Sequence, residues 1–154
     1  AVKVVKGEIV DRFSTFVNPR RPIPFKIEEL THISDAMVMN APVIEDILPE
    51  FLDFCEDYII VAHNASFDSS VLLRTLEHYD ITLPHYQLLD TLRTSKKFFK
   101  DFENHKLDTI CNNLNIDLKH HHNALFDSTA CAEILLYQAN LFGEDQLQPF
   151  IKIK

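Results

Sequence analysis

Glycine is almost missing from this 154-residue chain, with 2 in all, and low-complexity stretches and internal repeats are absent. With 46% hydrophobic residues, that composition excludes fibrous and disordered classes and fits one ordinary globular domain. No apolar run approaches the roughly 18 residues needed to cross a bilayer. The opening AVKVVKGEIV carries Lys3, Lys6 and Glu8 instead of a signal-peptide core, so the reading is a soluble, cytoplasmic protein with no membrane partner. Cysteine is sparse. Cys55, Cys111 and Cys131 are odd in number and far apart, with no C-x-x-C pair, which argues against a disulfide framework or a zinc knuckle. Net positive charge is lacking too: 15 Lys and Arg face 23 Asp and Glu, a formal charge of −8. Coating duplex DNA by phosphate neutralisation alone is thereby disfavoured, but an enzyme whose carboxylates hold divalent cations is not.

What is present reads as alternating elements. Ala1 to Val5 and Glu8 to Val17 are expected as strands of a hairpin turning at Lys6-Gly7, and the prolines of Asn18 to Pro24 impose an extended connection. Short helices follow, then an amphipathic helix from Pro42 through Ile44, Ile47, Leu48, Phe51, Leu52 and Cys55. Tyr58 to Ala62 is a compact apolar run, predicted as a buried strand. A helix over Phe67 to Tyr79, a strand over Tyr86 to Leu89 and helices near 91–99, 106–114 and 124–140 complete the order. This is an α/β domain, a mixed sheet flanked by helices on both faces. The tail Gln146 to Lys154 is open between a short strand, a partner contact and a loose end.

Two acidic residues fall on apolar faces. Asp68 shares helical spacing with Val71, Leu72 and Leu76, and Asp127 with Ala130, Cys131 and Leu135, so both carboxylates are expected to point toward the core. A buried carboxylate must cap a helix, pair with a cation or coordinate a metal. Capping explains either residue alone; two of them favour a shared metal site. His63-Asn64-Ala65-Ser66 leads from a strand end into the Asp68 helix, with Ser66 expected as its cap. His120-His121-His122 precedes the second helix. Alone, such a triplet reads as a solvated loop, but His122 lies five residues before Asp127, where an imidazole can serve as a general base. His32, His78, His85 and His105 read as surface or core-edge residues, and Asp90 as an N-cap before Thr91.

Read together, His63-Asn64-Ala65-Ser66-Phe67-Asp68 and His121-His122-Asn123-Ala124-Leu125-Phe126-Asp127 resemble the second and third motifs of the DnaQ-like (DEDDh) 3′-to-5′ exonucleases. Gly7 to Pro19, Ile27 to Ser34 and His105 to Ile110 are similar to stretches of the proofreading epsilon subunit and the PolC-type exonuclease domain. The resemblance implies a ribonuclease-H-like fold and two-metal removal of nucleotides from single-stranded or frayed 3′ ends of DNA, in association with a replicative polymerase. It implies that Asp68 and Asp127 carry two Mg²⁺ or Mn²⁺ ions and that His122 deprotonates the attacking water. His63, Asn64 and Phe67 are then substrate-binding. The family's Asp-x-Glu motif has no counterpart; Asp101-Phe102-Glu103 lies in a polar stretch and reads as a decoy. A central first strand is thus expected to be missing from residues 1–154, the natural protein to continue upstream, and this chain alone to fold poorly and show little activity. An RNA exonuclease of the same superfamily and a non-catalytic module with a degenerate nuclease site are the alternative readings; a metal store built on the histidines fits less well, because carboxylates suit hard cations.

Overall fold

The structure is a computed structural model that describes residues 1–82 and 85–154. β1 (Val2–Val5) and β2 (Glu8–Arg12) form the expected antiparallel hairpin. Lys6 and Gly7 both have positive φ, 51° and 79°, the handedness that matches the twist of the flanking strands. β2 ends five residues short of the expected Val17, because Phe13 turns its ring into the helical layer against Phe51 and Phe54. The prolines give an extended connection to α1 (Phe25–Thr31) and α2 (Asp35–Val38). α3 (Ile44–Cys55) starts two residues beyond Pro42, whose carbonyl accepts the Asn18 N–H at 2.8 Å and so belongs to the connection.

β3 (Ile60–Ala62), α4 (Ala65–His78) and β4 (Gln87–Asp90) make a parallel crossover unit, with Ile60 opposite Leu88 and Ala62 opposite Asp90. α5 (Thr91–Phe98), α6 (Leu107–Asn113) and α7 (Ala124–Phe142) follow. Two 3₁₀ turns lead to β5 (Lys152–Ile153), which pairs antiparallel with β4. The tail is therefore a short strand, and the sheet it joins is mixed. Leu107, Ile110 and Cys111 of α6 pack against Ala130 and Ile134 of α7 as the tightest core. Fully buried Gln138 ties α7 to α5, accepting from the Thr94 hydroxyl at 2.7 Å and donating to Ser95 Oγ at 3.0 Å. Such buried polar groups are tolerable because each has its partner.

The strands fall into two sheets, β1-β2 and β3-β4-β5. Between them lies a cavity of about 630 Å³, walled by Ala1 to Val4 on one side and Tyr58 to Val61 on the other, with Cys131, Leu135 and Ala139 of α7 beneath. A second cavity of about 400 Å³ opens toward α3 and α4, and Ala1, Phe51 and Ile60 border both. Beside this gap, the expected buried strand at Tyr58 to Ala62 is shorter and less buried than its apolar run predicts. The regular strand is only Ile60–Ala62, half-buried throughout, while Tyr58 and Ile59 are exposed.

Candidate active site

The end of β3, the start of α4 and the start of α5 converge on His63. Its ring sits between the Thr91 hydroxyl, 2.9 Å from Nδ1, and the His105 carbonyl, which accepts from Nε2 at 2.7 Å. Burial pushes its pKa below the usual value, so the ring is neutral and Nδ1 accepts from Thr91. Both nitrogens are occupied. The sequence reading places His63 against substrate and His105 at the surface or core edge; His105 is half-buried, and the geometry makes the two histidines parts of one tie, with His105 Nε2 in turn donating to the Phe99 carbonyl at 2.8 Å.

Asn64, next in the chain, adopts a left-handed backbone with φ 67° and is itself the residue preceding α4. Its N–H donates to Asp90 Oδ1 at 3.0 Å, and the same oxygen accepts from Leu92 N–H at 2.9 Å. Asp90 is thus the N-cap of α5, as its position predicts. Ser66, expected as the α4 cap, lies inside the first turn, its hydroxyl 3.4 Å from Asn64 Oδ1. The correction follows from Asn64, one of the residue types that tolerates the left-handed region and so ends the loop two positions earlier.

Asp68 does not point into packed core. It is an exposed residue that lines the 400 Å³ cavity with Phe67, Val71, Leu72 and Ser69. Val71 is itself 50% exposed, so the apolar face predicted for α4 borders open space. Enough protein surrounds the Asp68 carboxyl to push its pKa up, desolvation being the larger cause and the charge of Asp90 a smaller one. Phe67, 67% exposed, presents its ring at the same mouth.

Ala124 and Leu125, the first turn of α7, line that cavity too, and Asp127 follows one turn from Ala124. Asn123 caps the helix, accepting from Leu125 and Phe126 N–H. Asp127 is half-buried. Its Oδ1 accepts from His121 Nδ1 at 3.1 Å and from the His122 backbone N–H at 3.3 Å. The ring that reaches Asp127 is therefore that of His121, which the sequence reading leaves without a role. His122 is exposed, with φ 71°, and its imidazole stacks on that of His121 at 3.9 Å between centroids.

His121, His122 and Asp127 are the one group of three whose ligand atoms all lie within 4.8 Å of one another among the described residues; Asp68 lies outside it. Among those residues neither Asp68 nor Asp127 forms an ion pair with Arg or Lys. Two carboxylates without Arg or Lys partners, that of Asp127 contacted among the described residues only by the His121 ring and the His122 N–H, suit hard divalent cations. Asp101 and Glu103 sit in a bend where Phe102 stacks on Phe99 at 4.8 Å, and neither joins the group formed by His121, His122 and Asp127.

An exonuclease family model matches residues 1–135. The PolC-type DNA polymerase III of Caldanaerobacter subterraneus subsp. tengcongensis is 43% identical over 136 residues, 88% of this chain and 10% of that protein. Its counterpart from Bacillus subtilis is 40% identical over 149 residues, 96% and 10% respectively. The chain thus spans about a tenth of the length of the curated relatives it matches. Among solved structures, exonuclease X in complex with 5′ overhanging duplex DNA superposes with TM-score 0.79 at 28% identity, over 97% of this chain and 86% of that one. The nuclease domain of 3′hExo, a DEDDh family member bound to rAMP, gives TM-score 0.76 at 20% identity over 96% and 78%, a likeness of fold. The mixed sheet flanked by helices matches the ribonuclease-H-like fold of these exonucleases, and the chain belongs to the RNase T exonuclease family.

Proposed function

We propose that residues 1–154 are the greater part of a 3′-to-5′ exonuclease domain that shortens single-stranded or frayed DNA 3′ ends as a proofreading activity within, or beside, a replicative polymerase of the bacterial cytoplasm. The observation that carries this reading is the pair of carboxylates, Asp68 on α4 and Asp127 on α7, placed at the first turns of two helices and left without Arg or Lys partners. Likeness to PolC-type polymerases favours DNA and proofreading.

Asp68 and Asp127 would hold two Mg²⁺ or Mn²⁺ ions, which when bound supply positive charge to the attacking and leaving oxygens of an in-line displacement. His122, exposed beside Asp127, takes the proton of the attacking water. Asn64 and Phe67 face the terminal nucleotides: the Phe67 ring is free to stack on a base, and such contacts tolerate any sequence. His63 acts one step back. With both nitrogens engaged it holds the loop on which Asn64 stands.

A two-metal site needs more oxygen ligands than Asp68 and Asp127. The remaining oxygen ligands would come from an extended segment carrying an Asp-x-Glu pair and seated in the slot between β1 and β3. Supporting this are two strand edges facing one cavity and a second cavity across the sheet plane, the surroundings of a strand buried on both faces.

The test uses 5′-labelled DNA and matched RNA oligonucleotides with the polymerase-length protein, in Mg²⁺, Mn²⁺ and chelator. Stepwise loss of 3′ nucleotides from DNA, abolished by chelator, supports the reading. Faster loss from RNA selects the RNA exonuclease, and binding without metal-dependent hydrolysis selects the non-catalytic module.

A further inference from the structure

Three side chains before and within the first turn of α7 are placed for a ligand other than the hard cations considered so far. We propose that His121, His122 and Asp127 form an inhibitory site for Zn²⁺, which takes Asp127 away from Mg²⁺ or Mn²⁺ and so silences hydrolysis. The inhibitory part rests on the exonuclease reading; the binding part does not.

The backbone creates the site. His120 and His122 have φ 49° and 71°, and this turn brings the neighbouring rings of His121 and His122 side by side, 3.9 Å apart, instead of on opposite sides of an extended chain. His121 already reaches Asp127 Oδ1 at 3.1 Å, and the ligand atoms of all three residues lie within 4.8 Å. Two ligands of one tetrahedral zinc ion, each about 2.1 Å from it, stand about 3.4 Å apart, so the widest pair of the cluster needs to close by up to about 1.4 Å. Half-exposed and exposed rings make that adjustment by small χ rotations.

The donor set sorts the metals. Two imidazoles and one carboxylate, with a fourth position left to water, suit zinc, whereas Mg²⁺ prefers oxygen alone. Zinc also stands above manganese in affinity for nitrogen ligands. Asp127 Oδ1 cannot serve both ions as each requires, and the competition follows. His120 stays outside, its ring packed at 5.4 Å from Phe126, and Lys119, the nearest lysine in the loop, is paired with Asp117 at 3.3 Å.

Co²⁺ reports zinc-type sites through its visible absorption. Titrating the purified protein with Co²⁺ and back-titrating with Zn²⁺ is expected to show one tight equivalent, weakened about tenfold or more in His121→Gln and unchanged in His120→Gln, each variant checked for native circular dichroism. Binding that is indifferent to His121, or equally sensitive to His120, overturns the site as a mere histidine cluster. In the nuclease assay at fixed Mg²⁺, the Zn²⁺ concentration giving half inhibition should rise in His121→Gln by the factor found with Co²⁺. An unchanged value overturns the inhibitory role even if binding holds, and a protein that binds Co²⁺ through His121 yet cleaves nothing removes the exonuclease reading while leaving the metal site standing.

Discussion

His63 Nε2 donates to the carbonyl of His105 at 2.7 Å, a contact across 42 residues that fastens the end of β3 to the loop before α6. Removing that ring takes the donor from a part-buried carbonyl and leaves the Thr91 hydroxyl only its longer contacts to the Ala62 carbonyl and Cys131 Sγ, both at 3.4 Å. We expect His63→Ala to cost about 1–3 kcal/mol in urea unfolding. Because the ring is held neutral in the fold, the unfolded chain binds the extra proton, and stability should fall as pH drops below the ordinary value of 6.5. The His63→Gln variant should lose that part of the pH dependence; an unaltered profile would show that His63 is not its source.

Asp68 has the opposite linkage. Its folded pKa lies above the usual 3.8, so its contribution to stability is present in acid and lost as pH rises through the folded value. In chelator at neutral pH, Asp68→Asn is therefore expected to melt above the wild type. Adding Mg²⁺ or Mn²⁺ should raise the melting temperature of the wild type and much less that of the variant, since only a ligand bound to the folded state stabilises it. A variant stabilised by Mg²⁺ as much as the wild type would remove Asp68 from the ligand set.

His122 and Asp127 should separate in kinetics. As a general base, His122 is worth roughly 10²- to 10⁴-fold, so His122→Ala should lower kcat by that order with metal affinity nearly intact. Asp127→Ala should impair both turnover and metal binding. Equal activity of His122→Ala and wild type across neutral pH would end the general-base role.

The cysteines offer a check on packing. Burial pushes the Cys131 thiol up to about 12 and Cys111 up to about 11, and raises Cys55 as well. Only thiolate reacts, so a thiol reagent at pH 8 should label Cys111 and Cys131 slowly until denaturant is added. Fast labelling of Cys131 in buffer would mean that reagent reaches it through the cavity between the sheets or that its contact with Thr91 of α5 opens readily.

Much of this was readable residue by residue. Lys6-Gly7 announces its turn through glycine, and Asp90 its cap through position. The Ser66 cap failed because Asn64, two residues earlier, takes the left-handed conformation that ends the loop. Asp68 was expected in the core since spacing reports which residues share a face, but the space opposite α4 depends on strands far away in sequence. For the histidine triplet no periodicity exists: which ring meets Asp127 is decided by the positive φ at His120 and His122, a property of the folded loop. The His63–His105 tie is equally nonlocal.

β5 also has a bearing on solution behaviour. By pairing with β4 through Gln87 and Leu88, it shields that rim of the three-stranded sheet from other molecules. Strand rims are where proteins stick to copies of themselves. β1 and β3 instead border the cavity between the two sheets, so whatever occupies that slit also governs whether these two rims stay out of reach of other molecules at high concentration.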